Sequence, residues 1–279
     1  GGGDAGGADV VPSLGIPVVA VPISDGFQNA ATVFDTNPPF ADPNVLIGKY
    51  KYLYEQGVRK AAIVYLAVDQ TRSEIEKQKP QMRAAGIEIV HENPLPLSTL
   101  SYDSAARGVA NSGADYLFFV SDGGASASMA RALHATGHQM KFKEYLTAYG
   151  TKFIELAGPG AEGSSSWIRT LPDEDGGSVP EQKTFIEWMG RVAPGDVRDT
   201  FAAESWVAAK AFFEALEDLP GPISREALIA QLKTLTEFDA DGFFGRINLG
   251  GKRNNGCFVG MQVKGGKWVR LTPSQGFLC

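Results

Sequence analysis

Two stretches decide the fold class: AAIVYL at residues 61–66 and DYLFFV at residues 115–120. Each is a short apolar run, rich in β-branched and aromatic side chains, without the alternation of a strand that keeps one wet face. Such runs suit parallel strands covered by helices on both sides. A third run, PVVAV at 17–21, reads the same way.

Helical patterns lie between the runs. Pro43 to Glu55 puts Val45, Leu46, Lys49, Tyr52 and Leu53 on one face, and Thr71 to Ala85 turns Ile75 and Met82 inward. A helix carrying Met129 and Leu133 follows the Gly-rich turn after Val120. The strongest helix, Phe201 to Leu219, spaces Trp206, Ala209, Phe213 and Leu216 helically and stops at Pro220-Gly221-Pro222. Ser224 caps the next one. The chain end changes character: 257–264 and 267–271 flank Gly265-Gly266, a hairpin signal. The expectation is an α/β protein with mostly parallel sheets and a small antiparallel end.

With 279 residues, 43% of them hydrophobic, the chain can bury two cores. A net charge of -6 argues against nucleic acid as a partner. No run reaches the length of a membrane span. The chain opens on Gly1-Gly2-Gly3 instead of a methionine, and no leader is visible. Cys257 and Cys279 read either as separate buried thiols or as a disulfide that ties the C-terminus down. The return of the hairpin toward Cys257 and the bend at Pro273–Gly276 put the pair within bridging reach.

Catalytic chemistry is hard to find. The sequence has no GxSxG elbow, no HExxH and no Walker loop. His134 and His138 lie four apart with no adjacent ligand, which suits a solvated pair better than a metal site. Asp173 and Asp175 sit in a Gly-rich turn. The expectation is a binding protein without metal, cofactor or covalent catalysis.

The order of the segments then resembles a family. GIPVV at 15–19 followed by Ser24-Asp25, RKAAIVY at 59–65, AAGIEIV at 84–90, SGADY at 112–116, ELAG at 155–158, FAAESW at 201–206 and FFGRI at 243–247 are similar to the successive pieces of the leucine/isoleucine/valine-binding proteins. These are the type I periplasmic solute receptors of ABC transporters. The resemblance implies two lobes: one from 1–36 and 172–243, the other from 37–171 and 244–279. Crossings fall near Asp35–Pro39, Arg169–Asp173 and Phe243–Leu249. It also implies that the family's opening strand–helix units would precede Gly1, so that the first lobe as given exposes a sheet edge.

In open α/β sheets ligands sit beyond the carboxyl ends of the strands, near helix N-termini. Asp4 behind Gly1–Gly3 either opens a carboxylate-holding turn or is an ordinary cap. By position Ser24 resembles the family's hydroxyl donor to a ligand carboxylate, with a simple turn role as the alternative; Asp25 stands beside it. Gln70 occupies a loop where amino-acid receptors carry an aromatic residue. Asp122 either pairs with a ligand ammonium or caps the helix after it. Tyr149, placed after a strand at 145–148, stands near the family's acidic ammonium ligand. Phe201 could face the cleft, whereas Trp206 reads as core. Gln70 and Tyr149 both speak against a simple amino acid.

The resemblance implies a monomeric, periplasmic or cell-surface protein, with a lipid anchor on the precursor left open. Its lobes close on a small solute and present it to a membrane permease. A sugar-repressor-type regulator, a receptor ectodomain and an enzyme are the rival classes. They would need a DNA-binding domain, a membrane span and a nucleophile or metal constellation respectively.

Overall fold

In the computed structural model of the protein, residues 7, 10–22, 25–37, 48–195 and 198–279 are described, without the side chains of Asp25 and Gln70. The chain divides into two compact units, 1–42 with 175–257 and 43–174 with 258–279, and so passes from one to the other three times. Elements are numbered along the chain.

The first unit opens with α1 (Val10–Ser13), β1 (Val18–Ala20), α2 (Asp25–Asn29) and β2 (Val33–Asp35), and β1 pairs β2 in parallel. Of the run 17–21, residues 18–20 form a strand, and a half-buried one. Among the described residues β1 has β2 as its sole strand neighbour, so its other edge has no ladder partner.

The second unit holds α3 (Gly48–Glu55), β3 (Lys60–Leu66), α4 (Asp69–Ala84), β4 (Glu88–Leu95), α5 (Asp103–Asn111), β5 (Tyr116–Val120), α6 (Gly123–Ala135), β6 (Phe142–Tyr145), α7 (Thr151–Ala157) and β7 (Ser164–Ile168). The chain then returns to the first unit for α8 (Pro180–Val192), α9 (Thr200–Glu217), α10 (Arg225–Leu232), β8 (Ile247–Asn248) and β9 (Arg253–Asn254). It ends in the second with β10 (Val259–Lys264) and β11 (Lys267–Thr272). Residues 244–257, read from the sequence as part of the second lobe, lie in the first unit, where Ile247 bridges Phe238.

In the second unit the strands join in one seven-stranded sheet, ordered β11-β10-β7-β6-β5-β3-β4. From β4 to β7 every pairing is parallel, and β10 and β11 add antiparallel. β5 and all of β3 after Lys60 are buried, which is why their sequences never alternate. The hairpin turns at Gly265 and Gly266, both at positive φ (58° and 72°), the geometry a two-residue primed turn demands.

Beneath this sheet lies a buried ion pair. Lys49 of α3 meets Glu144 of β6 at 3.0 Å, with side chains 1% and 0% exposed. Tyr116 donates a hydrogen bond to the second oxygen of Glu144, and the ammonium lies 4.6–5.7 Å from the ring centroids of Tyr50, Phe118 and Phe258. Burial, aided by Glu144, holds the Tyr50 and Tyr116 phenols well above their usual range.

Cys257 and Cys279 are joined in a disulfide. Phe258 and Leu278 next to them exchange both backbone hydrogen bonds at 2.8 Å. Gly48 faces this tail: a Cβ there would lie 2.8 Å from Leu278 Cγ, so the first residue of α3 has no room for a side chain.

Two elements differ from the sequence reading. β6 ends at Tyr145, so 146–148 is turn, not strand. On α9 the buried residues are Ala203, Val207, Ala208, Ala211 and Ala215, whereas Phe213 is 57% exposed. Small side chains let that helix lie close to its neighbours, and the bulky ones are displaced to the opposite face.

Candidate functional site

In the second unit the carboxyl ends of the parallel strands converge on the turn after β5, residues 121–124. Asp122 is the N-cap of α6, its carboxylate accepting from Ala125 N at 2.9 Å. Asp122 O accepts from Ser126 N at 2.9 Å. A helix leaves its first N–H groups without intrahelical partners. Here those of Gly123 and Gly124 remain for a ligand or water, and a Cβ at Gly123 would meet only Thr147 O, at 3.8 Å.

The turn and the start of α6 carry two hydroxyls that the fold does not satisfy. Ser121 Oγ and Ser126 Oγ are buried without a hydrogen-bond partner among the described residues. Buried polar atoms are nearly always paired, so two such orphans flanking one helix start make it the candidate for a ligand. Thr147, from the turn after β6, donates to Ser121 O at 2.6 Å and fixes one wall. Tyr102, ahead of α5, supplies an aromatic wall and stacks edge-on against Phe119 at 5.9 Å. Burial pushes its phenol up, and the Asp122 carboxylate adds to the shift.

Tyr149 does not reach into this turn as a free side chain. It is 5% exposed, packs on Trp268 at 5.6 Å, donates to Glu174 at 2.6 Å and accepts from Asp173 N at 2.7 Å. Burial first, and then Glu174, raise its phenol far above the usual range. It therefore braces the segment by which the chain leaves this unit. Gln70 lies in the first turn of α4, with its side chain outside the described residues.

In the first unit Asp4 and Ser24 lie outside the described residues, and Asp25 opens α2 with its side chain undescribed. The far end of α2 is anchored by Lys252, which donates to Gln28 O at 3.0 Å and Ala30 O at 2.7 Å. Burial lowers the Lys252 ammonium, against the opposing pull of Asp35. Asp35 itself is fully buried at the end of β2 and accepts from Asn37 N at 2.6 Å and from Gln28. Phe201, at 58% exposure, stands at one end of an apolar groove of about 560 Å³ between β1 and α9, lined also by Val19, Ala208 and Phe212. Trp206 packs on Phe185 at 5.7 Å and donates to Glu181 at 2.6 Å, a structural role.

Sequence reasoning named Asp122 but missed Ser121, Ser126 and Tyr102. The signal available for Ser121 was its place in a Ser-Asp-Gly-Gly turn directly after an apolar strand; Ser126 and Tyr102 carried none.

Two α/β units, three passages of the chain between them and a polar turn at the carboxyl ends of parallel strands define a class of ligand-binding proteins. A periplasmic binding protein family profile matches residues 3–267, and the chain belongs to that family. Among solved structures it is similar to an extracellular ligand-binding receptor from Rhodopseudomonas palustris: TM-score 0.76 and 21% identity, over 95% of this chain and 77% of the other. It is similar to a leucine-binding protein of Thermotoga maritima, with TM-score 0.75 and 17% identity over 95% and 75%. An ABC transporter solute-binding protein of Rhodopseudomonas palustris in complex with benzoate gives 0.74 and 18% over 97% and 73%. No curated protein sequence matches the chain. The family and these neighbours are binding proteins or receptors, not enzymes. Membership implies an extracytoplasmic location, which agrees with the disulfide. Among the described residues no helix is long and apolar enough to cross a membrane.

Proposed function

We propose that the protein captures a small organic solute and delivers it to the permease of an ABC transporter, without chemical turnover. The observation that carries this reading is the start of α6: the orphaned hydroxyls of Ser121 before it and Ser126 within it, the N–H groups of Gly123 and Gly124, and the Tyr102 ring, whose phenol feels the Asp122 carboxylate. Those groups suit a ligand with a carboxylate or amide head beside an apolar body. Free N–H groups at a helix start accept negative charge, while the second oxygen of Asp122 is open to a donor. Each unit offers the carboxyl ends of its parallel strands, and closure about the three passages would bury the solute.

The named neighbours bracket the chemistry, one being a leucine-binding protein and another a benzoate complex. By the family resemblance, Gln70 and Tyr149 fall at positions where an amino-acid receptor would carry an aromatic and an acidic residue, which favours an amide, a short carboxylate or an aromatic acid over a free amino acid. Thermal-shift screening of those classes together with leucine tests the reading. A true ligand at about 100 times its Kd adds about 2.7 kcal/mol of stability. Asp122→Ala should weaken the hit while the unliganded transition stays within a few degrees. A full panel without a shift, or a hit indifferent to both Asp122→Ala and Ser121→Ala, overturns the assignment.

A further inference from the structure

The second unit has another recess, at the opposite end of β6 from the Ser121–Gly124 turn. It encloses about 600 Å³ between the end of α6, the start of β6 and the end of β10. Its polar lining includes His134, His138, Lys141, Lys143, Glu162 and Lys264, three ammonium groups against one carboxylate.

That carboxylate is already engaged, since its two oxygens accept from Gly265 N at 3.2 Å and Gly266 N at 3.4 Å. Lys141 is turned to the far wall, where it donates to Gly57 O and lies 3.9 Å from Asp115. Lys143 and Lys264 remain. Lys143 gives one proton to Glu162 O at 2.6 Å and has no ion pair among the described residues. Burial disfavours its charge, and the Glu162 field only partly offsets this. The Lys264 side chain, at the hairpin end, makes no hydrogen bond or ion pair among the described residues. His138 Nε2 is buried without a partner.

The helix end does not supply the missing acceptor. Leu133 O is taken by Thr136 N at 3.1 Å and by the Thr136 hydroxyl at 2.7 Å, and His134 O by Gly137 N at 3.0 Å. Half-buried Lys143 and exposed Lys264 therefore line a roomy polar recess whose one carboxylate is already bound to the hairpin turn.

We propose that this recess is a second binding site, for a small soluble polyanion bearing phosphate or carboxylate groups. Lys143 and Lys264 hold its charge. The site is independent of the solute turn and does not rest on the transport reading.

Calorimetric titration of the whole protein with pyrophosphate and with citrate, at physiological salt, tests it. Saturable binding of one anion per chain is expected, weakened about tenfold in Lys143→Met and in Lys264→Met by loss of a charge-assisted hydrogen bond. Lys264 is exposed on the hairpin, so that variant keeps its fold even if Lys143→Met does not. Asp122→Ala should bind the anion as the wild type does. Absence of saturation, wild-type affinity in Lys264→Met, or loss of binding in Asp122→Ala would each overturn the site. Capture of phosphatidylglycerol vesicles that Lys264→Met abolishes, with no binding of either soluble anion, would overturn the soluble ligand in favour of a lipid headgroup.

Discussion

The two units solve the same problem, a parallel strand layer with helices against it, with unequal amounts of material. In the second, β3 and β5 lie inside a seven-stranded sheet and are buried almost throughout. In the first, β1 pairs only β2 among the described strands, and all three of its residues are half-buried. β1 and β3 look alike in sequence, both continuous apolar runs. What separates them is the number of neighbours, and that is a property of the assembled layer and not of the strand.

The largest test of this contrast is a matched pair of truncations. Phe118→Ala removes a fully buried ring from β5 and should cost about 3–5 kcal/mol. Phe213→Ala removes a ring that is 57% exposed on α9 and should change stability by no more than about 0.5 kcal/mol. Urea denaturation of both variants reads the difference directly. Similar costs would mean that the Phe213 face of α9 is covered in solution.

That same helix marks where the sequence stops being legible. β3, β5 and the Gly265-Gly266 hairpin could be read because continuous apolar runs and paired glycines each have one good structural use. The span of α9 was equally readable, from its apolar content and the Pro220 stop, but its inward face was not. Large apolar residues suggest the core side, whereas close packing selects Ala203, Ala208, Ala211 and Ala215. At the candidate site Asp122 was legible as a cap-or-ligand residue, and it does cap. Ser121 and Ser126 were not, because a serine has no distinctive sequence pattern until its burial and lack of a partner are known. Tyr149 stands beyond β6 as its sequence position suggests, but the partners that hold it, Asp173 and Glu174, lie 24 and 25 positions away and could not be read.

A second test concerns charge instead of apolar surface. Glu144→Ala leaves Lys49 buried without its counter-ion, a change that typically costs about 3–5 kcal/mol. The double variant Lys49→Met, Glu144→Leu removes both charges and should recover most of that loss, since a buried ion pair is weakly stabilising beside apolar residues of similar volume. Thermal unfolding of the three proteins gives the answer. A double variant as unstable as Glu144→Ala would show that the network does more than satisfy itself.

The disulfide should matter somewhat less. Reduction, or Cys279→Ser, frees the tail that packs on Gly48 and pairs Phe258 with Leu278. Loss of the loop constraint is worth about 3 kcal/mol by chain entropy. The transition should therefore fall on adding reductant, and Cys279→Ser should no longer respond to it.

The smallest expected effect is also the one whose sign discriminates best. Glu214 lies on α9 in the first unit, half-buried, where desolvation raises its carboxyl above the usual value. Lys210 pulls the other way, but it is shared: it meets Asp241 at 2.8 Å and Glu181 at 3.5 Å. Asp241, Asp218 and Asp239 add repulsion. A carboxyl whose folded pKa exceeds its unfolded one favours the fold while protonated. Its contribution is present below the unfolded pKa and is lost as pH rises through the folded one. At neutral pH the ionised group is therefore a mild liability, unlike Glu144, whose ammonium partner lies 3.0 Å away. Glu214→Gln should raise the melting temperature slightly at pH 7, by about 1 °C, the scale of a half-exposed substitution. The gain should shrink as pH falls through the carboxylate range, because the wild-type group is then neutral as well. A variant that is less stable than wild type at pH 7, or a gain that grows on acidification, would mean that Lys210 serves Glu214 in preference to Asp241 and Glu181, and that the first unit too relies on a paired charge.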